Sequence, residues 1–116
     1  MSNFFKSDLV IDTLNTNGDV VIDGDLTVTG DTTTVSTTNT VVSDKLLELA
    51  NGTTGTPSGD AGVVIERGSS NNVFIGWDES EDKVTVATGT FTGASTGDLS
   101  LTDAALKTGA ITASGD

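Results

Sequence analysis

The residues best equipped for chemistry are four carboxylates in the stretch "WDESED": Asp78, Glu79, Glu81 and Asp82. Oxygen ligands gathered this closely suit a hard cation such as Ca²⁺, but the spacing departs from the EF-hand loop, which needs a central glycine and a closing glutamate. Two carboxylates can also hydrolyse a glycosidic bond. Here, however, the acidic side chains at Asp19, Asp25, Asp31 and 78–82 fall in turn-forming sequence, where solvation accounts for them. The chain has no histidine, cysteine or tyrosine, so neither a Ser-His-Asp triad nor thiolate chemistry can be assembled within it. "GTTGTPSG" is Gly-rich without the Gly-Lys-Ser/Thr ending of a phosphate loop. No catalytic residue, metal or cofactor is assigned, and the acidic turn reads as a loop held open by its own repulsion.

The elements that position this turn are strands. "GVVIERG" (62–68) and "NNVFIGWDESEDKVTVATG" (71–89) predict three strands, the last two joined by "DESED" at 78–82. Alternation places Val73, Ile75 and Trp77 on one face of the second strand, and Val84 with Val86 on one face of the third. This is the densest apolar cluster in the sequence and reads as core. Trp77 in an alternating strand fits that core, whereas an exposed Trp could stack on a sugar. Arg67, the only arginine, is expected to pair with a carboxylate, with Glu66 and Asp78 the candidates.

Upstream, residues 18–35 divide into "GDVVID", "GDLTVT" and "GDTTTV", a Gly-Asp pair every six residues. Each hexad predicts a short strand punctuated by a turn or bulge, with Leu26 and Val28 on one side and Thr27 and Thr29 on the other. The hexad pattern continues without its punctuation through residue 47. The pair returns at Gly97-Asp98 and Gly115-Asp116, so the chain is expected to continue past residue 116 as a longer repetitive protein. Two stretches hint at helix. "SDKLLELANG" (43–52) is read as strand and "TDAALKTG" (102–109) as a helical turn.

Composition limits the partners. Seventeen acidic residues against five basic ones leave a net charge of −12, which repels nucleic acid and anionic membrane surfaces. No run of about 18 apolar residues is present to insert into a bilayer. The apolar fraction is 34% and large apolar side chains are spread thinly along 116 residues. A chain of this kind favours an elongated or oligomeric solution, in which neighbours complete its core. The expected class is all-β, with little or no helix.

"GDLTVTGDTTTVSTTNTVVSDKLLELANG" followed by "GVVIERGSSNNVFIGWDESEDKVTV" resembles a module of tail fibres and other virion structural proteins of tailed bacteriophages, notably marine ones. The resemblance covers roughly residues 18–89, and the "ERG", "N" and "WDESED" elements are its most specific part. It implies an elongated, intertwined homotrimeric β-fibre in a virion, with no catalytic motif. In that arrangement Leu26, Val28, Val63, Ile65, Val73, Ile75, Trp77, Val84 and Val86 belong to the trimer interface or to the module's own core. Residues 1–17 become a virion-anchoring segment, in which Phe4, Phe5, Leu9, Val10 and Ile11 dock on a tail, adaptor, baseplate or capsid protein. The alternative for the phenylalanines is to plug the end of the trimer. Residues 18–50 become a Thr-rich shaft, 51–61 a loop, 62–89 a hairpin module and 90–116 the start of further repeats. A capsid fibre or decoration protein is a second reading. A bacterial β-solenoid adhesin or carbohydrate-binding stalk is a third.

Overall fold

The computed structural model describes residues 8–115, within two compact units, Met1–Val41 and Val42–Asp116. Phe4 and Phe5 lie outside the described residues. The described chain is all-β, and its strands form one antiparallel sheet.

In the first unit the strands expected within the hexads do not form among the described residues, and every one of those residues is exposed. A strand persists only beside a hydrogen-bonding neighbour, and the hexads do not pair with one another. The chain nevertheless bends at 17–18, 23–24 and 30–31, so each Gly-Asp pair does mark a change of direction. Threonine supplies local polar contacts instead. Thr16 Oγ1 donates to Gly18 O at 3.1 Å and Thr37 Oγ1 to Asn39 O at 3.0 Å, the short side-chain-to-backbone bonds that compete with regular structure.

The second unit carries a four-stranded meander in the order β1-β2-β3-β4. Its strands are β1 (Ala61–Arg67), β2 (Ser70–Asp78), β3 (Lys83–Gly89) and the short β4 (Thr102–Asp103). The three strands read from the sequence are present, with ends shifted by a residue or so. "SDKLLELANG" forms neither strand nor helix. After Leu49 the chain turns at Ala50, whose φ is 57°, with Thr53 N donating to Ala50 O at 3.2 Å. The helical turn expected in "TDAALKTG" is also absent. Thr102 and Asp103 instead pair with Thr88 and Ala87, and Ala104 N donates to Val86 O at 2.9 Å. The open edge of β3 accepts this segment as a strand, a stronger arrangement than an isolated helical turn.

The buried core is Phe74, Ala87 and Phe91. Phe74 projects from the centre of β2 beside Val64 of β1 and Ala87 of β3. Phe91, just past β3, meets it edge-to-face at 6.0 Å between ring centroids and 76° between planes. Asn72 Nδ2 donates to Phe91 O at 2.8 Å and holds that segment in place. Gly62 and Gly76 face each other across β1 and β2 under the Phe74 ring. A Cβ on Gly62 would stand 2.8 Å from Phe74 Cε2, and one on Gly76 2.7 Å from Phe74 Cζ. The missing side chains leave the space in which the ring lies.

Candidate functional site

The acidic turn is organised around Asp78, which is buried at 6% exposure. Its Oδ1 accepts from Ser80 Oγ at 2.7 Å and from Glu81 N at 3.0 Å. These bonds favour the ionised form. The Ser80 hydroxyl does most to lower the Asp78 pKa below the ordinary carboxylate value, the Glu81 and Ser80 backbone amides and Lys83 add to it, and burial opposes it. Asp82 closes the turn with φ at 54°, a conformation that Asp tolerates better than most residues. Glu81 pairs with Lys83 at 3.1 Å on the exposed surface. Among the described residues, no group of three or more carboxylates converges to hold a metal ion. The Asp78 carboxylate serves its own turn.

The expected ion pair between Arg67 and Asp78 does not form. Arg67 is paired with Ser70 at the start of β2, whereas Asp78 ends that nine-residue strand. At about 3.3 Å per residue the two positions are roughly 25 Å apart. The Arg67 guanidinium donates to Asn71 O at 3.1 Å instead.

A second carboxylate, not singled out by the sequence reading, has the most connected position. Asp60 Oδ1 accepts from Glu79 N at 2.9 Å, its Oδ2 accepts from Leu99 N at 2.8 Å, and its own N donates to Gly97 O at 3.0 Å. One side chain therefore clasps the approach to β1, the β2–β3 turn and the approach to β4. The contact is close because both partners carry glycine. Gly59 has φ at 80°, and a Cβ there would stand 3.3 Å from Gly97 Cα. Gly59-Asp60 is a further copy of the Gly-Asp pair, so the repeat itself was the available signal. Its partner, 39 residues away at Leu99, had no local signature.

The sequence-selected apolar residues share the sheet face opposite Phe74. The register aligns Val63 with Ile75 and Val86, Ile65 with Val73, and Trp77 with Val84. None of these seven belongs to the buried core. Val63 is 49% exposed, Ile65 46%, Ile75 44%, Trp77 40% and Val84 78%, while Val73 and Val86 are half-buried. The strand positions were read correctly, and the opposite parity holds the core. Leu26 and Val28 in the first unit are exposed, as are Leu9, Val10 and Ile11. The residues missed were Phe74, Ala87 and Phe91. Phe74 stands alone at its parity between Asn72 and Gly76, so its local pattern is weak, and its partner Phe91 lies beyond the third strand.

A shallow polar hollow of about 250 Å³ lies at the β1–β2 hairpin end, lined by Glu66, Ser69, Asn71 and Thr90 among others. It falls below the size of ordinary small-molecule sites, which also have largely apolar walls. The broad apolar sheet face is the more developed candidate surface. These features define a small antiparallel β-sheet module whose two best-placed carboxylates hold loops together. Compared with known protein families, curated proteins and solved structures, the chain matches none.

Proposed function

We propose that this chain is a structural component of a bacteriophage virion: the virion-proximal part of an elongated, intertwined homotrimeric tail fibre that attaches to the tail or its adaptor and holds a distal host-recognition region. The supporting observation is the incompleteness of residues 8–41 as a single chain. Leu9, Val10, Leu14, Val20, Val21 and Leu26 are all at least 59% exposed, and the described residues of that unit form no strand. Apolar side chains and backbone donors left in water are what an intertwined fibre completes from neighbouring chains. A single-chain solenoid would instead stack successive hexads on one another, and no such ladder forms among the described residues of 8–41. The segment sequence resembling fibre modules supplies the virion setting. Leu9, Val10 and Ile11 would continue the docking surface begun by Phe4 and Phe5.

The reading is tested on particles and in solution. Antibodies to residues 1–116 are expected to label phage tails, while labelling confined to heads would replace the tail fibre with a capsid fibre. Sedimentation equilibrium is expected to give three times 11.7 kDa. A folded monomer would remove the intertwined fibre. Deleting residues 2–8 is expected to abolish incorporation with the trimer intact, and loss of the trimer would make this segment a plug.

A further inference from the structure

We propose that Asn51-Gly52 is a self-modifying site, at which the Gly52 amide closes on the Asn51 side chain and water then converts the asparagine into a mixture of aspartate and isoaspartate. Three observations carry it, and none depends on how the chain assembles.

The first is residue type. Ring closure needs a backbone amide immediately after an asparagine, and glycine obstructs that amide least because it has no Cβ. Asparagine is itself among the thermolabile side chains. Of the seven asparagines in the chain, only Asn17 and Asn51 precede glycine. The second is access. Asn51 and Gly52 are exposed, and no atom lies within 4 Å of the position that a Gly52 Cβ would take. The third is the freedom of the reacting groups. The turn is closed by Thr53 N donating to Ala50 O at 3.2 Å and by Thr53 Oγ1 donating to the same oxygen at 2.6 Å. Neither bond uses the Asn51 side chain or the Gly52 N–H. Asn72 is the opposite case: part-buried in β2, it donates from Nδ2 to Phe91 O at 2.8 Å and accepts at Oδ1 from Arg67 N at 3.3 Å. Asn17-Gly18 is exposed as well and should follow the course of Asn51.

The step balances with water alone. Gly52 N loses its proton to solvent base and bonds to Asn51 Cγ, while the Cγ–Nδ2 bond breaks and Nδ2 leaves as ammonia. Water then opens the cyclic imide. Attack at Cγ restores the ordinary peptide bond and leaves aspartate, whereas attack at the main-chain carbonyl carbon leaves the chain running through Cγ as isoaspartate. One water is consumed, one ammonia is released, and nothing is oxidised or reduced. Either product adds a negative charge to a chain already at −12. Isoaspartate also inserts a methylene into the backbone of the turn that Ala50 and Thr53 close.

The test uses the full-length chain, aged in mildly alkaline buffer and digested with trypsin beside an unaged blank. Cleavage after Lys45 and Arg67 releases residues 46–67, in which Asn51 is the only asparagine. This peptide is expected to gain the mass of aspartate in place of asparagine and to separate into two forms, one of them a substrate for isoaspartyl methyltransferase. The 68–83 peptide, which carries Asn71 and Asn72, should react more slowly by a factor on the order of tenfold. Gly52→Ala should slow the change at Asn51 by a similar factor, on the order of tenfold. Asn51→Gln, whose longer side chain would have to close a larger ring, should abolish it without altering Gly52. An unchanged 46–67 peptide beside a reacted 68–83 peptide would overturn the site. A product of aspartate alone, or a Gly52→Ala chain that reacts as fast as the parent, would overturn the ring closure.

Discussion

Residues 8–41 and the sheet of 61–103 use the same few residue types to opposite ends. In the first region Gly24 has open space around the position of a Cβ, and Leu26 is 69% exposed. In the second, Gly62 and Gly76 make room for a phenylalanine ring, and Gly59 lets Asp60 reach three segments. A Gly-Asp pair bends the first region and staples the second. The difference is one of partners. Where a second strand lies within reach of the same chain, glycine and aspartate become packing and hydrogen-bonding devices. Where none does, they only punctuate.

The contrast should be sharpest at Phe74. Phe74→Ala is expected to cost the sheet about 3–5 kcal/mol, enough to unfold a marginal module, as read by urea titration of Trp77 fluorescence. Leu26→Ala should leave that same transition within about 0.5 kcal/mol of its original position; equal effects would erase the distinction between the regions. Asp60→Ala removes an acceptor from two backbone amides and should cost about 2–3 kcal/mol in the same titration. A neutral result would mean that the clasp contributes nothing to stability.

Glycine substitutions give the next comparison. Gly76→Ala would place a methyl against Ala61 O and 2.7 Å from the Phe74 ring, and should cost about 1–3 kcal/mol. Gly59→Ala, with φ at 80°, should cost about 1–2 kcal/mol from backbone strain. Gly24→Ala, with open space around it, is expected to change the sheet's stability by less than about 0.5 kcal/mol.

The smallest effect should come from pH. Asp78 has its pKa lowered in the folded state, so its contribution is fully present above the unfolded value of about 3.9 and is lost as pH falls through the lower folded value. Melting temperature should therefore fall less steeply below about pH 4 in Asp78→Asn than in the parent. Identical acid limbs would show that the Ser80 and Glu81 bonds do not stabilise the charged form.

Much of the sheet was legible before any coordinates. Alternating Val and Ile and the acidic turn mark three strands and their order along the chain, while the two-residue Gly68-Ser69 connection between the first two appears only in the structure. The face that forms the core was not legible. Val73, Ile75 and Trp77 outnumber the lone Phe74 at the other parity, and counting apolar residues favours them. Phe91 reverses that choice by packing on the Phe74 side, and it lies in the twelve-residue segment 90–101 between β3 and β4, which is anchored through Asn72 and Asp60. The candidate acidic site was visible as composition, but its hydrogen-bond bookkeeping was not.

Residue type and spacing alone determined the all-β class, the strand-turn-strand plan of 61–89 and the six-residue rhythm of bends, because those depend on local backbone preference and alternation. Only the tertiary structure decided which sheet face is buried, that Asp60 joins three segments and that Trp77 stands on the open face. Those outcomes depend on contacts between residues far apart in the chain, and local propensity carries no information about which distant group will arrive.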